Sequence, residues 1–160
     1  MELQYIVNKL NNYTTVRHIL KNEFKLSNRL ILKLKQNKSI FLNNNETFLD
    51  KELSIGDIVK CNIDFNETSK NIIPTKMDLS ILFEDDFFLI VDKPCNMVVH
   101  PSILHYTDSL SNGVKYYFEK QGLNKKIRPV NRLDRDTTGI VVFAKNEYIQ
   151  ESLSKQMQSR

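Results

Sequence analysis

Apolar and polar positions in residues 14–64 follow two different spacings. Apolar residues three and four apart predict two short helices, the first capped by Thr14 or Thr15 and the second by Ser27. Further on, short apolar runs and alternating stretches bounded by turn residues predict strands at residues 39–42, 46–49 and 58–65. The pattern therefore predicts a unit of two helices and a small sheet in this part of the chain.

A second hydrophobic system follows a polar stretch that contains Pro74. Strands are predicted at residues 79–83 and 87–92, a helix at 107–120 and a buried strand at 139–145. An amphipathic helix is predicted from Glu147 to Arg160. These elements predict an α+β fold with a first domain at residues 1–66, a linker at 67–77 and a second domain at 78–160.

Composition narrows the class of protein further. The 160 residues include 23 Lys and Arg against 19 Asp and Glu, for a net charge of +4, and 41% hydrophobic residues, as is typical of globular domains. Neither a signal peptide nor a membrane span is predicted, so a cytoplasmic location is expected. The two cysteines stand alone, which predicts neither a disulfide framework nor a zinc site built from cysteines.

The positive charge is concentrated in two stretches. Residues 14–38 hold seven basic residues and one acidic residue, and residues 120–135 hold six basic residues and one acidic residue. The remainder of the chain is net acidic, so the modest overall charge hides two cationic surfaces. Such surfaces are typical of proteins that bind a polyanion.

The densest group of chemically active side chains lies in residues 128–139, whose sequence is RPVNRLDRDTTG. Two carboxylates and three arginines precede a buried strand, a place where loops hold functional groups. Local chemistry alone leaves an alternative open, in which Asp134 or Asp136 only forms a turn and pairs with an arginine. A calcium loop is excluded, because Thr138 stands at the fifth position instead of Asp or Asn, and Lys145 stands at the twelfth position instead of a bidentate Glu.

Two blocks of this chain resemble the RluA-type RNA pseudouridine synthases. The run Arg132-Leu133-Asp134-x-x-Thr137-Thr138-Gly139, followed by the apolar strand up to Lys145, resembles the family signature. The upstream block runs from Leu82 to Pro94 and continues with Met97-Val98-Val99-His100-Pro101. The first domain resembles the S-four-type RNA-binding module, and the resemblance extends from about Thr14 to the end of the chain.

The resemblance implies that the protein flips specific uridines out of ribosomal or transfer RNA and isomerises them to pseudouridine. It implies that Asp134 is the catalytic carboxylate, that Arg132, Arg135 and Thr137 bind the substrate, and that neither a cofactor nor a metal takes part. The expected partner is structured RNA, with no membrane association, and a monomer is favoured. Together with the charge distribution, the resemblance predicts RNA contacts at Arg17, Arg29, Lys33, Lys35, Lys125 and Arg128.

Some positions depart from the family pattern. Asn131 stands where many members have His, Thr138 replaces Ser, and both Asn44 and Asn96 replace a Gly, which suits a positive φ because Asn tolerates it. The family's catalytic domain is longer than the matching part, so the chain is expected to supply its first portion, with part of a mixed or antiparallel sheet. The alternative hypothesis is therefore a protein or inactive fragment that binds structured RNA without catalysis. A third hypothesis is a glycosidase-like or nucleotide-binding protein whose similarity to the family is accidental. No Gly-rich phosphate loop supports it, because the chain has only four Gly.

Overall fold

The computed structural model describes residues 1–9 and 14–158, and the chain divides into two units, Met1–Asp64 and Phe65–Arg160. Both units combine helices with an antiparallel sheet, which confirms the α+β class. None of the described helices has the length and apolar character needed to cross a membrane.

The helices of the first unit are short and lie in its basic stretch. Helix α1 (Val16–His18) begins after the N-cap Thr15 and continues as a π-helical turn (Ile19–Glu23). Helix α2 (Asn28–Gln36) is capped by Ser27, whose Oγ accepts a hydrogen bond from Leu30 N at 3.2 Å. The predicted pair of helices is confirmed, and the apolar face of each is buried.

The sheet of the first unit has four antiparallel strands in the order β1-β4-β2-β3. Their bounds are β1 Glu2–Ile6, β2 Ile40–Leu42, β3 Asn45–Glu46 and β4 Ile58–Asn62. Strand β1 was not predicted, because its five residues alternate only between exposed and half-buried positions. Asn44 has φ of 66°, which confirms that asparagine serves here in a left-handed turn.

The second unit is built on three antiparallel strands with β6 in the centre. Its elements are β5 Ser80–Glu84, β6 Phe88–Lys93, α3 Leu110–Lys120, β7 Gly139–Ala144 and α4 Glu147–Gln158. Arg160, the predicted end of the last helix, lies outside the described residues. One face of the sheet forms a core with α3, whose buried members are Ile72, Leu89, Val91, Val99, Leu110, Val114, Phe118, Ile127, Val141 and Phe143.

The polar segment at residues 67–77 has no regular secondary structure but belongs to the second unit. Ile72 is buried in the core of that unit. Lys115 of α3 donates from Nζ to the carbonyl oxygens of Ser69 at 2.9 Å and Ile72 at 2.6 Å. A segment predicted as a linker from its polarity is thus fixed by one buried apolar side chain and by backbone acceptors.

Candidate active site

The loop at residues 131–138 is fastened to the strand that follows it. Asn131 donates from Nδ2 to Ile140 O and accepts from Val142 N at Oδ1, both at 2.9 Å. Val130 N donates to Val142 O at 2.7 Å. The Asn131 side chain therefore hydrogen-bonds to one backbone acceptor and one backbone donor of β7, as a neighbouring strand would. These two hydrogen bonds hold the start of the loop.

Lys93 also holds this loop, through hydrogen bonds from its buried side chain. Its side chain is completely buried, and Nζ donates to Pro94 O at 2.9 Å, Met97 O at 2.8 Å and Arg135 O at 2.9 Å. Met97 N also donates to Arg135 O at 3.1 Å. One buried ammonium thus joins two loops that are about forty residues apart in sequence.

Asp134 lies at the turn of the loop, where its carbonyl oxygen accepts from Thr137 N at 3.1 Å. Its carboxylate is exposed and, within the part of the chain that the structure describes, has no hydrogen bond or ion pair. The Thr137 side chain is exposed beside it. The carboxylate is therefore not used to form the bend, as the purely structural interpretation requires, and it is open to a ligand.

The two arginines that flank Asp134 are exposed and face different neighbours. Arg135 donates from Nη2 to Asn96 Oδ1, and Asn96 has φ of 62°, which confirms the predicted left-handed position. Burial, together with the positive charge of Arg132 nearby, lowers the pKa of His100, whose Nδ1 lies 2.9 Å from Ser111 Oγ.

Two of the basic residues predicted to bind RNA are engaged within the protein. Arg128 is only 5% exposed, and its guanidinium forms an ion pair with Glu67 Oε2. This differs from the predicted phosphate contact, since a buried arginine that already has a carboxylate partner does not face solvent. Arg17 is exposed and pairs with Asp50 at 3.2 Å, a surface contact that an RNA phosphate can replace.

The remaining predicted RNA contacts lie on both units. Arg29 and Lys33 lie one helical turn apart on α2, and Lys35 is exposed near its C-terminal end. Lys125 is half-buried in the second unit. The geometry leaves three cations on one short helix of the first unit and fewer than predicted near the second basic stretch.

Sequence reasoning missed a cavity and a buried lysine in the second unit. The cavity measures about 530 Å³, and the residues lining it include Ser69, Lys70, His100 and Lys126. Its lining comes from segments distant in sequence, so no local pattern indicates it. Lys93 gave no signal beyond its position at the end of a strand. Among the described residues, no three His, Cys, Asp or Glu side chains are grouped as metal ligands.

Comparison with known proteins gives two family matches and a group of relatives. Residues 87–160 match the family described as RNA pseudouridylate synthase, and residues 3–59 match the RluD ribosomal pseudouridine synthase N-terminal domain. An uncharacterized RNA pseudouridine synthase of Bacillus subtilis, YhcT, is 30% identical over 99% of this chain and 52% of its own length. The ribosomal large subunit pseudouridine synthase D of Blochmanniella floridana is 30% identical over 99% of this chain and 47% of its own.

A third relative, from Borreliella burgdorferi, has the same name as the second and is 32% identical over 86% of this chain and 40% of its own length. The chain thus spans about half the length of the curated relatives it matches. The matched residues 87–160 include the whole loop that contains Asp134.

Proposed function

This chain belongs to the RNA pseudouridine synthase family, and we propose that it isomerises specific uridines of structured RNA through the carboxylate of Asp134. One observation carries the proposal. In a loop fastened by Asn131 and Lys93, the acid of the family signature is exposed and has no partner among the described residues. A carboxylate held in that way is available to a substrate.

The reaction breaks the bond between uracil N1 and ribose C1′ and forms a bond between C5 and the same C1′. C5 loses its proton to solvent and N1 takes up a proton from solvent, so the uracil is only reattached and atoms balance without a co-reactant. A carboxylate can assist by stabilising positive charge on the anomeric carbon or by attacking it covalently, as in glycoside chemistry. Attack on the base and removal of a ribose proton are the other roles open to a carboxylate, and we propose that Asp134 performs one of these four.

The substrate base must leave the stack of the RNA helix to reach Asp134, at a free-energy cost of a few kcal/mol. We propose that Arg132 and Arg135 offset this cost by contacting phosphates or by stacking in the space the base has left. In the same proposal, Thr137 donates a hydrogen bond to the extruded nucleotide. All three side chains are exposed around the turn that presents Asp134.

We propose that the first unit holds the RNA through Arg17, Arg29, Lys33 and Lys35, and that Lys125 adds a contact from the second unit. Arg128 is left out of this surface because it is buried against Glu67. Two of the relatives are named for the large ribosomal subunit, so ribosomal RNA is the first substrate to test. The setting is the cytoplasm, and the acting species is a monomer without metal or cofactor.

The test is release of tritium from large-subunit ribosomal RNA transcribed with [5-³H]uridine, since the C5 proton leaves in the reaction. The chain is assayed alone and joined to the part of the Bacillus subtilis relative that the match does not cover. Tritium release is expected in reactions that contain this chain and not in reactions without it. Asp134→Asn should abolish the release while leaving RNA affinity unchanged.

Asp136→Asn is the matched control, because it removes an equally exposed carboxylate two residues away in the same loop. Its release should stay close to that of the unchanged sequence. Release that survives Asp134→Asn, or that falls equally in both variants, would show that Asp134 is not the catalytic carboxylate.

A further inference from the structure

The loop at residues 101–108 presents two apolar side chains to solvent. Ile103 is 99% exposed and Leu104 is 88% exposed, more than any other large apolar side chain among the described residues. Single exposed apolar residues are ordinary, but two adjacent ones at the tip of a loop form a surface that water solvates poorly.

The tip is held firmly. Ser102 N donates to His105 O and His105 N donates to Ser102 O, both at 3.1 Å, which closes a tight turn with Ile103 and Leu104 at its end. His105 Nδ1 lies 2.8 Å from Asp108 Oδ2, and Asn112 Nδ2 donates to Tyr106 O at 3.1 Å. The two side chains are therefore presented by a pre-organised hairpin-like turn, which lowers the entropy lost on binding.

The base of the loop at residues 101–108, called here the apolar loop, lies beside the loop at residues 131–138, called the signature loop. The segment before it is bonded to that loop through Met97 N and Arg135 O at 3.1 Å. It is also bonded to the start of α3, where Leu110 N donates to Val98 O at 2.9 Å. Just before that segment, Arg135 donates from Nη2 to Asn96 Oδ1. The base of the loop that carries the apolar tip is therefore joined to the loop that presents Asp134, and Arg135 lies beside that base.

We propose that the Ile103–Leu104 tip is an apolar wedge that inserts between bases of the substrate RNA next to the uridine that Asp134 receives. The inference rests on the proposed function, because it assumes RNA at this face. Arg132 and Arg135, both exposed on the loop of Asp134, bring phosphates to this face, and the apolar tip then contacts bases rather than phosphates. Apolar side chains inserted between base steps unstack and kink nucleic acids elsewhere. A wedge of this kind opens the stack beside a base that has to be flipped out.

The experiment uses the full chain and two RNA hairpins that differ only in the adenosine opposite one uridine. In the first the adenosine is present and the uridine is paired in the stem; in the second it is omitted and the uridine lies unpaired in a bulge. A 2-aminopurine placed beside the uridine reports unstacking by its fluorescence, and anisotropy reports affinity. The double variant Ile103→Ser with Leu104→Ser is compared with the control Leu82→Ser, which alters an exposed leucine on β5. Both changes lie on the surface, and circular dichroism checks that each variant keeps its fold.

The double variant should bind the paired hairpin about tenfold more weakly and lose the 2-aminopurine signal, because the tip no longer stabilises an opened stack. Its affinity for the bulged hairpin, which is already open, should stay within about twofold of the unchanged chain, as should both affinities of Leu82→Ser.

Equal weakening on the two hairpins, or no weakening on either, overturns the wedge. So does a variant that changes only the self-association of the chain in sedimentation, since the tip is then a protein contact. Failure of the unchanged chain to bind either hairpin would count against the proposed function itself, and the two failures are therefore distinguishable.

Discussion

Removing the Lys93 ammonium tests whether its hydrogen bonds hold the loop that contains Asp134. Lys93→Met keeps most of the side-chain volume but removes the Nζ donor from three carbonyl oxygens, which leaves Pro94 O and Met97 O without it and Arg135 O with only Met97 N. A hydrogen bond to a charged group contributes about 1.5–3 kcal/mol, and the gain is partly offset by the cost of burying the ammonium. We expect a net loss of about 3 kcal/mol in the free energy of unfolding of the second unit, or roughly 10–20 °C in Tm.

Urea unfolding and thermal melts measure that loss, and hydrogen exchange at the Met97 amide reports the joint between the two loops, since that amide bonds to Arg135 O. The exchange should become faster in Lys93→Met. Lys76→Met is the control, because Lys76 is exposed and the same atoms are exchanged there. A Lys93→Met chain within about 0.5 kcal/mol of the original, with unchanged Met97 exchange, would refute the reasoning, because surface substitutions have effects of that size.

Three further results are expected. Burial raises the pKa of the Cys61 thiol to about 12, so a thiol reagent at pH 8 should label exposed Cys95 at once and Cys61 only after denaturation; rapid labelling of both would contradict the packing. Burial opposes ionisation of Glu84, but hydrogen bonds from Tyr117 and Lys145 prevail and lower its pKa. Its contribution to the free energy of unfolding is therefore present above the unfolded pKa and is lost as the pH falls. The stability advantage over Glu84→Gln should shrink between about pH 5 and 3, and it would not change with pH if the contacts did not matter. RNA affinity should fall steeply with salt, with a log–log slope of roughly 0.7–0.9 per phosphate contact, and a flat response would argue against the cationic surface.

The sequence predicted most elements because their patterns are local. Helix α3 begins at Leu110 rather than at residue 107, since Ser109 caps it and its Oγ accepts from Asn112 N. Strand β1 was missed because it is only five residues long, pairs with one neighbour and buries none of its side chains fully. The linker prediction rested on polarity, which does not reveal that one apolar residue, Ile72, reaches a core formed much later in the chain.

Roles of individual charges were harder to predict than elements. Arg128 and Arg132 are four residues apart in one basic stretch, yet the first is buried against Glu67 and the second is exposed. Glu67 lies about sixty residues away, so no local pattern distinguishes the two arginines. Buried Lys93 was missed for the same reason, since all its partners are backbone atoms that any sequence supplies.

The way the signature loop is held explains why its acid is available. If an arginine paired with Asp134 to stabilise the turn, the carboxylate would be consumed by the fold, and freeing it for a substrate would destabilise the loop. Here the rigidity comes from contacts that involve neither Asp134 nor Thr137 side chains: the Asn131 amide on β7 and the Lys93 ammonium on loop carbonyls. Because those contacts use backbone partners, the acid can change its own partner during a reaction without loosening the turn that presents it. Asp134→Asn should accordingly leave the free energy of unfolding unchanged within about 0.5 kcal/mol, whereas Lys93→Met should not.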